Sequence, residues 1–100
     1  MKTVVEFTMH VKPGHYDEVK SAYSKFVSDF LKNYPQLKSV LVVGDPASGT
    51  VRGIGVFDNA KHAEAVNSNP IFAKFNDHVA HLITGSPERV ELQLLHSFER

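Results

Sequence analysis

Apolar and polar side chains alternate over residues 3–11, and a period of two predicts a strand with two unequal faces. Between residues 15 and 34 the apolar positions recur at helical spacing instead. Pro35 ends that predicted helix, because the residue before a proline avoids the helical region. Residues 37–43 predict a second strand, and its part Val40-Leu41-Val42-Val43 is apolar on both faces, which favours cover on both sides.

The second half of the chain repeats this order. The loop Asp45-Pro46-Ala47-Ser48-Gly49 has the composition of a hairpin turn and leads into a predicted strand over residues 50–57. A helical segment follows and breaks at Asn69-Pro70, where proline suits the first turn of a new helix. Residues 88–98 alternate again and predict the last strand, so the order of elements is βαββαβ.

This order predicts a single α+β domain over residues 1–100, a ferredoxin-like sandwich with a four-stranded antiparallel sheet. Right-handed crossovers would place both helices on one side of a sheet with strand order 4-1-3-2. The side chains that we expect to face the helices are Val5, Phe7, Met9, Leu92, Leu94 and Phe98.

The opposite side of this sheet, called the open face below, would carry too many apolar side chains to stay in water. Its expected apolar residues are Val4, Ile54, Val56, Leu95 and either Val40 with Val42 or Leu41 with Val43. Two copies packed sheet against sheet about a two-fold axis would cover it. We therefore predict a homodimer in which the two sheets face each other.

Composition narrows the possible partners and the compartment. The chain has 11 basic and 11 acidic residues, and this balance argues against binding nucleic acid or an anionic membrane. It has no cysteine, so neither disulfides nor thiolate metal sites are expected. It shows no apolar run of signal-peptide or membrane-spanning length, and we expect a cytoplasmic protein.

Two glycines, Gly53 and Gly55, share one face of the predicted third strand and leave a bare patch of sheet. Glycine inside a strand often marks a close approach of another group. Close packing of a helix against the patch is the favoured interpretation, and room for a ligand is the alternative.

The chain resembles the antibiotic biosynthesis monooxygenase-like domains of the dimeric α/β-barrel superfamily over nearly its whole length. The resemblance rests on patterns rather than on a catalytic motif. These are Val4–Val11 followed by Lys12-Pro13-Gly14, Tyr34-Pro35, Phe57-Asp58-Asn59 and Ser68-Asn69-Pro70-Ile71-Phe72.

This resemblance implies that dioxygen oxidises a small aromatic substrate without metal or organic cofactor. Family members often carry a tryptophan where this chain has Phe57 and a histidine where it has Val66. The haem-degrading branch needs an asparagine, a tryptophan and a histidine at positions that match Phe7, Val66 and Asn76. Since all three differ, we do not expect haem degradation.

The residues themselves suggest a pocket between the helices and the sheet for a small apolar or aromatic ligand. Its expected walls are Phe7, Met9, Phe57, Phe72 and Phe75. His96 is the candidate general base and Asn76 the candidate donor to a substrate oxygen. A buried structural histidine and a half-exposed surface amide are the plain alternatives. His78 and His81 have a metal-ligand spacing but lack a third ligand, so no metal site is expected.

Three functions are consistent with these residues and with the resemblance. The leading one is a cofactor-independent monooxygenase that acts on a small aromatic or quinol-type substrate. The second is a non-catalytic homodimer that binds a small ligand or serves a stress-related role. The third is an isomerase or cyclase of the same fold, which would consume no dioxygen.

Overall fold

The computed structural model describes residues 1–100. Its elements follow the predicted order, with the helical part of the second half divided in two. They are β1 (Thr3–His10), α1 (Tyr16–Asn33), β2 (Leu37–Asp45), β3 (Thr50–Phe57), α2 (Ala60–Ala65), a 3₁₀ turn (Val66–Ser68), α3 (Pro70–Val79) and β4 (Glu88–Gln93). β4 departs most from the prediction, because it ends at Gln93 instead of Phe98.

The four strands form one antiparallel sheet in the order β2-β3-β1-β4, which confirms the predicted topology. Helices α1 and α3 pack on one side of it, so the arrangement is ferredoxin-like. The core between the two layers contains Met9 and Val51 from the sheet and Val19 and Val79 from the helices, all almost completely buried. A site between the two layers would therefore be lined by the helix-facing side of β1 and β3.

The break between α2 and α3 has a local cause at Asn69. Its side chain accepts a hydrogen bond from the backbone N–H of Ile71 at 2.8 Å, and Pro70 fills the first turn of α3. An asparagine cap satisfies an N–H group that the helix itself cannot pair. None of the helices is both long and apolar enough to cross a membrane.

The N-terminus of α2 carries an ion pair between Asp58 and His62. The carboxylate Oδ1 lies 2.6 Å from the imidazole Nδ1, and Asn59 caps the same turn by accepting from the backbone N–H of His62. The hydrogen bond from His62 holds the pKa of the Asp58 carboxyl below its usual range. The ionised carboxylate of Asp58 therefore stabilises the folded state.

We expect Asp58→Asn to flatten the acid limb of the stability profile. A carboxyl with a lowered pKa in the folded state stabilises the fold above its unfolded pKa of about 4, and this contribution is lost as the pH falls through the folded pKa. Urea midpoints measured from about pH 6 to about pH 3 test this. Asp29→Asn, on the exposed side of α1, is the control, and equal acid slopes for wild type and Asp58→Asn would contradict the assignment.

The two faces of β4 are the reverse of the prediction. Phe7 pairs with Arg89 and Val5 with Glu91, so Arg89 and Glu91 share the helix-facing side with them. Leu92 pairs with Val4 instead and lies on the open face, about half exposed. Because side chains alternate along a strand, an error of one residue in the assignment places every side chain of that strand on the wrong face.

The segment 94–100 lies outside the four strands, and the predicted placement of Leu94 and Phe98 on the helix-facing side was wrong. The backbone N–H of Leu94 still donates to the carbonyl of Lys2 at 3.1 Å, and the regular pairing ends there. Leu95 and Phe98 are 84% and 73% exposed. Neither Leu94 nor Phe98 belongs to the buried core.

The open face is more apolar than predicted. β2 contributes Leu41 and Val43, which settles the alternative left open for that strand. β4 adds Val90 and Leu92. Four large apolar side chains on this side therefore remain between 46% and 65% exposed.

Candidate functional site

A cavity lies between α1 and the helix-facing side of the sheet, and we call it the helix-side cavity. Its volume is about 60 Å³, and 11 of its 14 lining residues are hydrophobic. The lining residues are Val5, Phe7, Tyr23, Phe26, Val27, Phe30, Leu37, Val40, Gly53, Gly55, Phe57, Val66, Phe72 and Arg89. The site is therefore a dry, aromatic space with one charged residue.

Three of the five predicted wall residues line this cavity, namely Phe7, Phe57 and Phe72. Met9 and Phe75 do not, and that part of the prediction was wrong. Met9 is fully buried and does not reach the cavity, whereas Phe75 stacks on Phe26 with ring centroids 4.6 Å apart. Phe75 supports the lining without forming it.

The aromatic rings around the cavity form one connected cluster. Phe7 meets Phe72 edge to face with centroids 5.4 Å apart, and Tyr23 lies 5.3 Å from Phe75. The ring centroid of Tyr23 also lies 6.0 Å from those of Phe7 and Phe26. Such pairs add about 0.5–1.5 kcal/mol beyond the area they bury, so a ligand entering here competes with a stable packing.

Tyr23 explains why the third strand carries a glycine at position 53. A Cβ built on Gly53 would lie 2.6 Å from ring carbon Cζ of Tyr23 and closer still to its hydroxyl. The glycine is therefore required by the phenol that packs against it, as the helix-packing interpretation predicted. Burial raises the pKa of the Tyr23 phenol far above its usual range, so this side chain is neutral and is no candidate for a base.

Arg89 is the charged residue of the cavity, and it was not predicted from the sequence. Its Nη1 donates to Oε2 of Glu91 at 2.6 Å, and its Nη2 donates to the carbonyl of Ala63 at 2.7 Å. These two bonds use two of the five N–H donors of the guanidinium. The signal that could have revealed Arg89 is the register of β4 against Phe7, which the apolar alternation of β4 concealed.

Asn76 lines a neighbouring cleft of about 410 Å³ between α3 and the loop before β4. Phe7, Phe72 and Arg89 line both the cleft and the helix-side cavity. The side-chain oxygen Oδ1 of Asn76 is buried without a hydrogen-bond partner, which costs about 1–3 kcal/mol. Asn76 thus offers the cleft a free acceptor, and the donor role predicted for its side-chain amide stays a prediction.

His96 does not lie in the cavity, and its predicted placement there was wrong. It follows β4 in the exposed segment 94–100, because the helix-facing positions of β4 belong to Arg89 and Glu91. Neither the imidazole of a histidine nor a carboxylate lines the helix-side cavity. The structure also contains no group of three or more His, Cys, Asp or Glu side chains that could hold a metal ion.

Chemically, this arrangement offers apolar contacts to a flat ring and one positive charge that can stabilise an anion. A guanidinium in an apolar setting binds an oxyanion more strongly than it would in water, because the low local dielectric strengthens the attraction. Proton abstraction is not provided by any side chain of the cavity lining. The site is therefore suited to a molecule that ionises readily by itself.

Comparison with solved structures supports the fold described above. No protein-family model matches the chain, and no curated protein matches it in sequence. Among solved structures, a candidate antibiotic biosynthesis monooxygenase from Chloroflexus aurantiacus superposes with a TM-score of 0.78 at 19% identity, covering 99% of this chain and 98% of the other. SnoaB, a cofactor-independent oxygenase from Streptomyces nogalater, gives 0.80 at 13% identity, covering 99% and 98%.

A dimeric ferredoxin-like protein of unknown function from Jannaschia gives 0.79 at 7% identity, covering 94% and 100%. At such identities the likeness concerns the fold alone. This likeness in fold first defines the class of domain, which is ferredoxin-like α+β. Within that class, the chain has the fold of an antibiotic biosynthesis monooxygenase-like domain, as the resemblance indicated.

Proposed function

We propose that the chain is a cofactor-independent monooxygenase that oxidises a small aromatic or quinol-type molecule with dioxygen. The observation that carries this proposal is the aromatic helix-side cavity with Arg89 as its one charged residue. SnoaB, named as a cofactor-independent oxygenase, has the same fold and supports the proposal by analogy.

In the proposed reaction a ring carbon, which is a methylene in the keto tautomer of the quinol, reacts with dioxygen and becomes a carbonyl. One oxygen atom enters the product, the other leaves as water with the two methylene hydrogens, and the four electrons come from the oxidised carbon. Ionisation of the substrate must come first. Because the cavity lining has no base, we propose that the acidity of the substrate itself is sufficient and that water at the cavity mouth takes the proton.

The size of the cavity implies that a ligand must displace side chains. A cavity of about 150 Å³ accommodates benzene, whereas the helix-side cavity measures about 60 Å³. Phe26 is half buried and stacks between α1 and α3 on Phe75. Its ring is the lining group that we propose to move, since Tyr23 is held against Gly53.

We expect Asn76→Leu to lower oxygen uptake about 10- to 100-fold without loss of stability. The lost activity corresponds to one hydrogen bond of about 1.5–3 kcal/mol that the amide Nδ2 of Asn76 would donate to the oxygen of the ionised substrate. Stability should stay equal or rise, because the variant removes an acceptor that is buried without a partner. Oxygen uptake with a panel of quinols measures the first effect, and urea unfolding measures the second.

His96→Ala is the matched control for this experiment, because His96 lies outside the cavity. It should keep full oxygen uptake on every substrate that the wild type oxidises. Full uptake by Asn76→Leu would remove Asn76 from the proposed site. No oxygen uptake by the wild type on any quinol would contradict the monooxygenase function.

We also propose that the protein is a homodimer through the open face. Leu41, Val43, Val90 and Leu92 leave that face apolar, and a second copy would cover it. The neighbour from Jannaschia is itself described as dimeric.

A non-catalytic homodimer that binds a small ligand is the second candidate function. The tight contact of Tyr23 with Gly53 and the small cavity favour it, because they leave little free space for a reacting substrate with dioxygen. Saturable binding of an aromatic probe without oxygen uptake would support this function over the first.

A further inference from the structure

Arg89 is held in a fixed orientation by two groups that do not belong to the cavity lining. Glu91 accepts from Nη1, and the carbonyl of Ala63 near the C-terminal end of α2 accepts from Nη2. The negative end of a helix attracts a cation, and the hydrogen bond to a carboxylate fixes the orientation of the guanidinium. The remaining three N–H donors are left for another acceptor.

Arg89 also lies where an apolar ring and a polar head would meet. It lies directly opposite Phe7 in the sheet, and both line the cavity and the neighbouring cleft together with Phe72. A ring packed on the two phenylalanines would thus have its substituent beside the guanidinium. The planar fork of an arginine matches two oxygen atoms or one ring oxyanion.

Resting on the proposed function, we propose that the site binds its ligand as an anion, a flat aromatic body whose oxyanion is held by Arg89. The shared chemistry is a negative oxygen in the plane of a ring, as an ionised phenol or enol or as a ring carboxylate. Tyr23 lines the cavity as a neutral phenol, so no other charge in the lining opposes this anion. Glu91 neutralises only one edge of the guanidinium, and Asp77 lines the cleft only.

The test uses 4-nitrophenol, because its ionised form absorbs visible light and its ionisation can be followed on the protein. Binding the anion in preference to the neutral form must lower the apparent pKa of the bound probe, and a tenfold preference lowers it by about one unit. The uncharged analogue 4-nitroanisole should bind about 10- to 100-fold more weakly than 4-nitrophenolate. Competition by benzoate distinguishes a site that also takes carboxylates from one that takes only phenolates.

Arg89→Gln should weaken 4-nitrophenolate binding about 10- to 100-fold and abolish the pKa shift of the probe. Arg100→Gln, which removes the same charge from the exposed C-terminal segment, should leave both unchanged. Unchanged binding of 4-nitroanisole to Arg89→Gln shows that the cavity is intact. If Arg89→Gln fails to fold, Arg89→Lys, which keeps the charge but loses the fork, should still weaken phenolate binding.

Two results overturn the inference in distinguishable ways. Equal binding of 4-nitroanisole and 4-nitrophenolate, or a pKa shift that persists in Arg89→Gln, rejects recognition of an anion by Arg89 but leaves an aromatic site. Failure of every aromatic probe to bind rejects the proposed function as well.

Discussion

Gly53→Ala should destabilise the fold by about 1–3 kcal/mol, the usual cost of an added methyl group that a packed core cannot accommodate. The new Cβ would lie 2.6 and 2.8 Å from two ring carbons of Tyr23 and closer still to its hydroxyl. Tyr23 cannot easily move away, since it is buried and contacts Phe7, Phe26 and Phe75. Urea unfolding at neutral pH measures the loss.

Gly55→Ala is the matched control on the same face of the same strand. Its Cβ would lie 3.3 Å from Cδ1 of Leu37, the far end of a flexible side chain, and 3.5 Å from a ring carbon of Phe57. A small shift of Leu37 would relieve this contact. We therefore expect a much smaller loss for Gly55→Ala than for Gly53→Ala, and equal losses would contradict the role given to Tyr23.

Tyr23→Phe tests the same contact from the other side. The variant removes the oxygen that lies nearest to the added Cβ, but it keeps the ring carbons at 2.6 and 2.8 Å. In a double-mutant cycle it should therefore recover only part of the loss caused by Gly53→Ala. Complete additivity of the two changes would show that the ring and the glycine do not interact.

The topology could be predicted from the sequence because it depends on features that a sequence displays directly. The change from a period of two to helical spacing after Gly14, the stop at Pro35 and the break at Pro70 mark the element boundaries. Once the order βαββαβ is known, the handedness of crossovers leaves few arrangements.

The orientation of β4 could not be predicted from its sequence pattern, because both the helix-facing side and the open face of the sheet carry apolar side chains. Val90 and Leu92 alternate as core residues do, yet they face the open side, and the helix-facing positions carry Arg89 and Glu91. Because β4 is at the edge of the sheet, the stems of these long side chains can pack on the helix layer while their charged ends stay near solvent. The error placed His96 in the cavity and hid Arg89, so it affected the chemistry of the site more than the fold.

The glycines show the opposite case, in which the sequence pointed to a close contact but not to its partner. Gly53 and Gly55 marked a bare patch, and helical spacing alone put Tyr23 on the inner side of α1. Only the structure shows that the phenol of Tyr23 covers Gly53 and leaves a small cavity. The proposed ligand could therefore enter only if the surrounding aromatic side chains move, which no pattern of residue types reveals.

The rows of side chains across the open face explain why a second copy should bind there. Antiparallel register aligns Leu41, Ile54, Glu6 and Val90 in one row. The adjacent row contains Ser39, Val56, Val4 and Leu92. Six of these eight side chains are apolar, and such a patch in the middle of an exposed sheet is typical of an interface.

Leu41→Lys should convert the proposed dimer into a monomer. Leu41 is 65% exposed in the single chain, so its replacement leaves the core intact, while two new charges would enter a two-fold interface. A loss of about 2 kcal/mol or more, as for a buried residue that dominates an interface, weakens association at least about 30-fold. Light scattering at micromolar concentration should give twice the chain mass of 11.1 kDa for the wild type and a single chain for the variant.

Leu31→Lys is the matched control, because Leu31 lies on α1, away from the open face, and is 37% exposed. It should keep the dimeric mass. A dimer that survives Leu41→Lys but not Leu31→Lys would place the interface on the helices instead of the sheet. A wild-type protein with the mass of one chain at all concentrations would leave the open face without this partner and would reject the homodimer.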